Sequence, residues 1–171
     1  MADALWLSRG YAGFSFADLS TRTGLRKPSV YHHFPSKEAL FIALIEHHEH
    51  EAAGFFETMD TRPANEALGA FLEVYGRLLE HPDRLCPAGA ICADLEVMPA
   101  AVAASGRLYL RAQQSWLTAT MDRGPWRFCA EDMAATVLSA LQGALQRSRG
   151  ALSPVPLERT LRMLRVQLEL G

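Results

Sequence analysis

Lysine is almost missing from this chain: among seventeen basic residues only Lys27 and Lys37 are lysines, and both lie near the N-terminus. Acidic residues are missing from one stretch, Leu19 to Lys37, which carries Arg22, Arg26, Lys27 and Lys37. Cysteine is scarce. Cys86, Cys92 and Cys129 form an odd set without CxxC spacing, which excludes a disulfide framework and a cysteine zinc site and fits a reducing cytoplasm. No run of about eighteen uncharged apolar residues occurs, so no membrane-spanning helix is expected. The opening MADALWLSRG is too short and too broken by charge for a secretory signal. Period-two alternation of apolar and polar residues is absent, so strands are not expected. GxSxG, HExxH, P-loop and dinucleotide fingerprints are absent as well. With no nucleophile–base pair to place, an enzyme is set aside and no cofactor or metal is expected. The net charge of -2 excludes general nucleic-acid affinity, so any DNA binding must come from a local patch.

What is present is helical periodicity in a chain of 171 residues, 49% hydrophobic and 21% charged, with room for a small module and a larger one. The end of an amphipathic helix covers residues 1–9 and stops at Gly10. Ser15 is an N-cap for a helix over 16–23, with Asp18 near its positive end, and Gly24 closes it. Leu25 is expected to be a buried turn residue. Pro28 suits the first turn of a third helix ending at Phe34, and Pro35 stops it. Ser36 caps a long helix over 37–59. Further helices are expected over 64–80 (ended by His81-Pro82), 88–97, 100–121, 131–147 and 157–170, with a loop at 83–87. The fold class is therefore all-α, with about nine helices.

The acid-free stretch reads as a helix-turn-helix. A reading helix must offer short polar side chains and positive charge to the major groove, and lean on a helix that touches the backbone. Ser29, Tyr31, His32 and His33 sit on the short third helix beside Lys27 and Lys37, a mixture suited to base edges and phosphates.

The run from Gly10 to His48 resembles the DNA-binding domain of the tetracycline-repressor (TetR) family. The resemblance rests on Gly10-Tyr11, Asp18-Leu19, Gly24, Lys27, Tyr31-His32-His33-Phe34 and Ser36-Lys37-Glu38-Ala39-Leu40. It implies a DNA-binding unit over 1–48 whose first helix is cut short, with helix four as connector. Residues 49–171 would form a ligand-binding and dimerisation unit. Carried over by position, Lys27, Pro28, Ser29 and His32 would face base edges. Tyr31, His33, Ser36, Lys37 and Ser15 would hold phosphates, and Arg26, where a capping residue is usual, would contact phosphate. Ala17 stands where many members carry a polar residue that reaches DNA, and no basic arm precedes the first helix. The implied partners are a palindromic double-stranded operator, a second copy of the chain and a small-molecule effector, with no membrane. The implied function is a ligand-responsive repressor. The alternative is a helical interaction protein that has lost DNA binding.

Beyond about residue 50 the reading rests on pattern. Val137, Leu138, Leu141 and Leu145, with Leu157, Leu161, Leu164 and Leu168, form apolar stripes on the last two helices. Such stripes most often mean core. The resemblance makes them the dimer interface. Tyr75, Met98, Tyr109, Trp116, Met121 and Trp126 are candidate walls of an apolar ligand cavity. Asp94 and Glu96, on an otherwise apolar helix, must meet solvent, an arginine such as Arg107 or Arg111, or a ligand. Cys86 and Cys92 are expected to be inert and buried, although a redox role stays open. Glu46-His47-His48-Glu49-His50-Glu51 reads as a solvated connector face before a surface metal site.

Overall fold

The computed structural model describes residues 1–81 and 83–170. Among these residues there are nine α-helices and no strand. In order they are α1 (Ala2–Arg9), α2 (Phe16–Thr23), α3 (Lys27–His33), α4 (Lys37–Asp60), α5 (Ala64–Gly76), α6 (Pro87–Asp94), α7 (Ala100–Asp122), α8 (Ala130–Ala151) and α9 (Val155–Gln167). The all-α expectation holds, with local differences. α5 tightens after Gly76 into a 3-10 turn over Arg77–Glu80. α6 stops at Asp94, three residues early, and α8 continues to Ala151. The expected stop at Pro82 lies outside the described residues. No described helix is long and apolar enough to cross a membrane.

The boundaries follow local chemistry. Ser15 and Ser36 accept the N–H groups of Asp18 and Ala39 at the starts of α2 and α4. Pro63 and Pro99 stand just before α5 and α7, where a missing N–H costs nothing. Gly24 ends α2 in the left-handed conformation at φ 72°.

The first three helices close over the N-terminal half of α4. Leu5, Trp6, Phe14, Phe16, Leu19, Val30, Leu40 and Phe41 are buried there. Trp6 meets Phe41 edge-on at 5.7 Å, and Phe14 lies 5.4 Å from the same ring. Full burial of each such side chain contributes about 1.5–3 kcal/mol towards holding the head on α4.

The body is built around α7, which packs against α4 on one side and α8 on another, while α9 packs on α8 and α5. Trp116 of α7 fixes the far end of α4. Its ring stacks on Phe56 at 4.5 Å, and its indole N–H donates to Asp60 at 2.9 Å. α6 crosses α7 closely because Gly106 has no side chain: a Cβ there would lie 2.8 Å from Ile91. Replacing Gly106 with alanine should therefore destabilise the chain by about 1–3 kcal/mol, the usual cost of overpacking. Urea unfolding of wild type and variant measures it, with the loss expected as a lower midpoint and unchanged slope.

Candidate nucleic-acid interface

α2 and α3 are presented by a cap, a glycine turn and one buried contact. The Ser15 hydroxyl donates to Asp18 at 2.6 Å, and the Ser15 N–H donates to the same carboxylate at 2.8 Å. Asp18 N–H returns a bond to Ser15, which completes a capping box. The hydroxyl and backbone bonds from Ser15, helped by Arg9 at 3.7 Å, hold the Asp18 carboxyl below its ordinary range. After Gly24 the chain enters α3, whose one buried residue is Val30. The remainder of α3 is left to solvent.

Arg26, Lys27, Pro28, Ser29, Tyr31, His32, His33 and Ser36 are all exposed on this face. The Tyr31 ring leans edge-on against Phe16 at 4.9 Å, which braces it while the residue stays 54% exposed. Arg22, exposed in the last turn of α2, joins the same surface. No carboxylate pairs with Arg22, Arg26 or Lys27 among the described residues. Arg22 lay in the acid-free stretch, and its charge was the available signal.

Three expectations change. The Ser15 hydroxyl proton already goes to a carboxylate, so it is not a free donor for a phosphate. Lys37 is half-buried, its ammonium 4.6 Å above the centre of the Tyr11 ring and 5.5 Å and 5.9 Å from Phe14 and Phe41. Burial lowers its pKa, against the opposing pull of Asp94 and Asp18. Lys37 therefore pins the start of α4 to the α1–α2 turn by a cation–π contact. Leu25 is 49% exposed, because the turn at Gly24 directs it outward.

The head is tied to the body at the end of α1. The Tyr11 N–H donates to Asp94 at 2.6 Å, the Leu85 N–H donates to Leu7 O at 2.9 Å, and the Arg149 guanidinium donates to Ser8 O at 2.6 Å. Gly10 is required there twice: its φ is 74°, and a Cβ would lie 2.7 Å from the Asp94 carboxylate. Asp94 is thus a tie between head and body: it meets a backbone amide, where solvent, an arginine or a ligand was expected. Sequence offered no signal, since Asp94 and Arg149 are 83 and 141 positions from their partners. α1 also meets α4 through Asp3 and His48 at 2.6 Å. Burial alone would raise the Asp3 carboxyl, but the His48 hydrogen bond and charge hold it below the ordinary value. The histidine-rich face is therefore partly an internal contact, and no described His, Cys, Asp and Glu cluster is arranged to hold a metal.

The remaining candidates disperse. Tyr75, Met98, Tyr109, Trp116 and Met121 are buried packing residues, and of these only Tyr109 lines one of the described pockets, while Glu96 is exposed. Tyr75 shares a buried polar cluster: Gln142 donates to its hydroxyl at 3.3 Å and to the Cys86 sulfur at 3.2 Å. Burial raises the Tyr75, Tyr109 and Cys86 pKa values. Cys86 is therefore a buried neutral thiol, whereas Cys92 and Cys129 are exposed. A cleft of about 90 Å³ beside Tyr109 is the only opening that these residues share with α4 among the described pockets. Trp126 instead lines a half-open cavity of about 540 Å³ between the α7–α8 loop, α8 and α9. Val137, Leu141, Leu145, Leu157, Leu161, Leu164 and Leu168 are buried within this one chain, and Leu138 is half-buried. Their helices pack on one another and on α5 and α7, and Val137, Leu164 and Leu168 also line the half-open cavity beside Trp126. An apolar stripe reports burial without reporting the partner.

The capping box separates two roles on one face. Ser15→Ala should cost ~1 kcal/mol of stability, read by thermal unfolding, and leave the salt dependence of DNA binding unchanged. Lys27→Ala should leave stability unchanged and lower the salt slope by about one per protomer. The cap is pH-dependent in one direction. Asp18 has a folded pKa below its unfolded value, so its contribution is present above the unfolded pKa and is lost as pH falls through the folded one.

Residues 1–44 match the family profile described as bacterial regulatory proteins, tetR family. A curated relative, the HTH-type transcriptional activator FasR of Mycolicibacterium smegmatis, is 29% identical over 82 residues, 47% of this chain. The match spans only 37% of that relative's length. A TetR transcriptional regulator from Legionella pneumophila superposes with a TM-score of 0.89 at 23% identity, covering 98% of this chain and 92% of that one. A TetR-family regulator from Agrobacterium tumefaciens gives 0.79 at 26% identity, with 92% of each chain covered. Residues 1–44 are thus a head of the tetR family of bacterial regulatory proteins, and the chain as a whole has the fold of the TetR-family regulators on which it superposes.

Proposed function

We propose that the chain is a dimeric regulator that binds a palindromic DNA operator and releases it when a small molecule occupies the body. The observation that carries this reading is the α2–α3 face. Arg22, Arg26 and Lys27 lie unpaired beside exposed Ser29, Tyr31 and His32, on a chain of net charge -2. That face has few cations, so useful affinity needs two copies acting together, about one helical turn (~34 Å) apart. Pro28, His33 and Ser36 would complete the face as base-edge or phosphate contacts.

For pairing, the outward surface of α8 and α9 is the best-suited part of the chain. Ala135, Ser139 and Gly143 are small and exposed on α8, while Val155, Met163 and Val166 are exposed on α9. Small residues let helices approach closely, and a twofold dimer presents the same patch from both copies. The residue ranges 1–48 and 49–171 then divide reading from pairing and effector binding, with α4 continuous across both.

For the effector, the buried Tyr75–Gln142–Cys86 cluster is the polar recognition point we favour, with Tyr109, Met98, Trp116 and Met121 around it. This conformation is packed there. A molecule entering it must favour a different arrangement of α4 and α6, and only that difference in affinity can release DNA. Repression by occupying a promoter is the mode we propose.

A binding selection from random duplex DNA, followed by fluorescence anisotropy across salt, tests the central part. The expected result is a palindromic site bound with a steep salt dependence and weakened by Arg26→Ala. No sequence preference would overturn it. A reporter fused to the selected site reads the sign, with higher expression on loss of the chain expected for repression.

A further inference from the structure

The cavity at the start of α8 has an apolar floor made by Met133, Val137, Leu164 and Leu168. One wall is the Trp126 indole, whose N–H donates to Leu168 O at 3.3 Å. Phe128, which lines the mouth of the same hollow, stands 76% exposed. The rim carries one cation, Arg127, and two carboxylates, Asp132 and Glu169, none paired with another residue among those described. The hollow and the exposed ring lie on one short patch, together with charges of both signs.

We propose that this hollow is occupied by the α7–α8 loop of a second copy, with each Phe128 ring seated in the other copy's cavity. A twofold axis makes any such contact reciprocal, so a patch that holds both a projecting ring and a receiving hollow is self-complementary. The charges fit the same exchange: Arg127 of one copy meets Asp132 or Glu169 of the other. Cavities of about 300–1,000 Å³ accommodate small organic ligands, and a phenyl ring with its flanking main chain falls within the volume of about 540 Å³ found here. The hollow is continuous with the outward α8–α9 surface through Asp132 and Thr136. This inference rests on the dimer reading above and adds the pair of loops that sets the register of the two copies.

The experiment uses the full chain carrying Cys92→Ser, so that Cys129, the residue after Phe128, is the exposed cysteine. Light scattering and analytical ultracentrifugation give the dimer dissociation constant, and a short bis-maleimide tests whether the two Cys129 residues lie near each other. The expected result is a dimer that cross-links through Cys129. Phe128→Ala should raise the dissociation constant at least tenfold with unchanged circular dichroism. Arg127→Asp should weaken pairing similarly, and adding Asp132→Arg should recover part of the loss. A dimer that is indifferent to Phe128→Ala and not cross-linked at Cys129 would overturn the loop exchange while leaving helix-face pairing intact, and would open the hollow to a small molecule. A chain that stays monomeric at every concentration would overturn both.

Discussion

The arrangement of this molecule depends on how the end of α1 is held. A short helix leaves its last carbonyls without partners, and they must find donors elsewhere. Here Leu7 O takes the Leu85 N–H, and Ser8 O takes Arg149 from the last turn of α8. Asp94, at the end of α6, accepts the Tyr11 N–H just beyond Gly10. Three separate parts of the body thereby fix one turn of the head. Lys37 completes the joint from the other side, its ammonium over the Tyr11 ring. The DNA-facing helices follow this turn directly, so their direction is set by the body as well as by α4.

That joint would give the proposed effector a physical route to the head. α6 and α8 both touch the packed centre of the body, α6 through Cys86 and α8 through Gln142, which hydrogen-bond to each other. The last turns of the same two helices carry Asp94 and Arg149, which bond to the head. A molecule that displaced Gln142 or Cys86 would act on elements whose far ends hold α1. Packed cores change between discrete arrangements rather than yielding gradually, so such a displacement would move the head as a unit.

Much of the head was legible in the sequence because its determinants are local. Ser15, Gly24, Pro28 and Ser36 each act within a few residues, and they set three helices and the turn between two of them. The body helices were legible for the same reason, two of them through Pro63 and Pro99. What could not be read was direction. The leucines of α8 and α9 announce a buried face, but whether that face meets its own chain or another is decided by the placement of α5 and α7. Lys37 could extend to a phosphate or fold back onto rings, and only the nearby Tyr11, Phe14 and Phe41 decide for the rings. Asp94 looked like a stray carboxylate because its partner amide lies in another part of the chain.

If the α1 joint aims the reading helices, Arg149 tests this most directly because it lies in the last turn of α8 and outside the α2–α3 face. Arg149→Ala should lower affinity for the selected operator by about tenfold, equivalent to ~1.4 kcal/mol, within the range for losing one charged hydrogen bond. Helix content and the slope of affinity against salt should stay as in the wild type, since no phosphate contact is removed. Unchanged affinity would contradict the account, and so would a loss accompanied by a shallower salt slope, which would make Arg149 a direct phosphate contact.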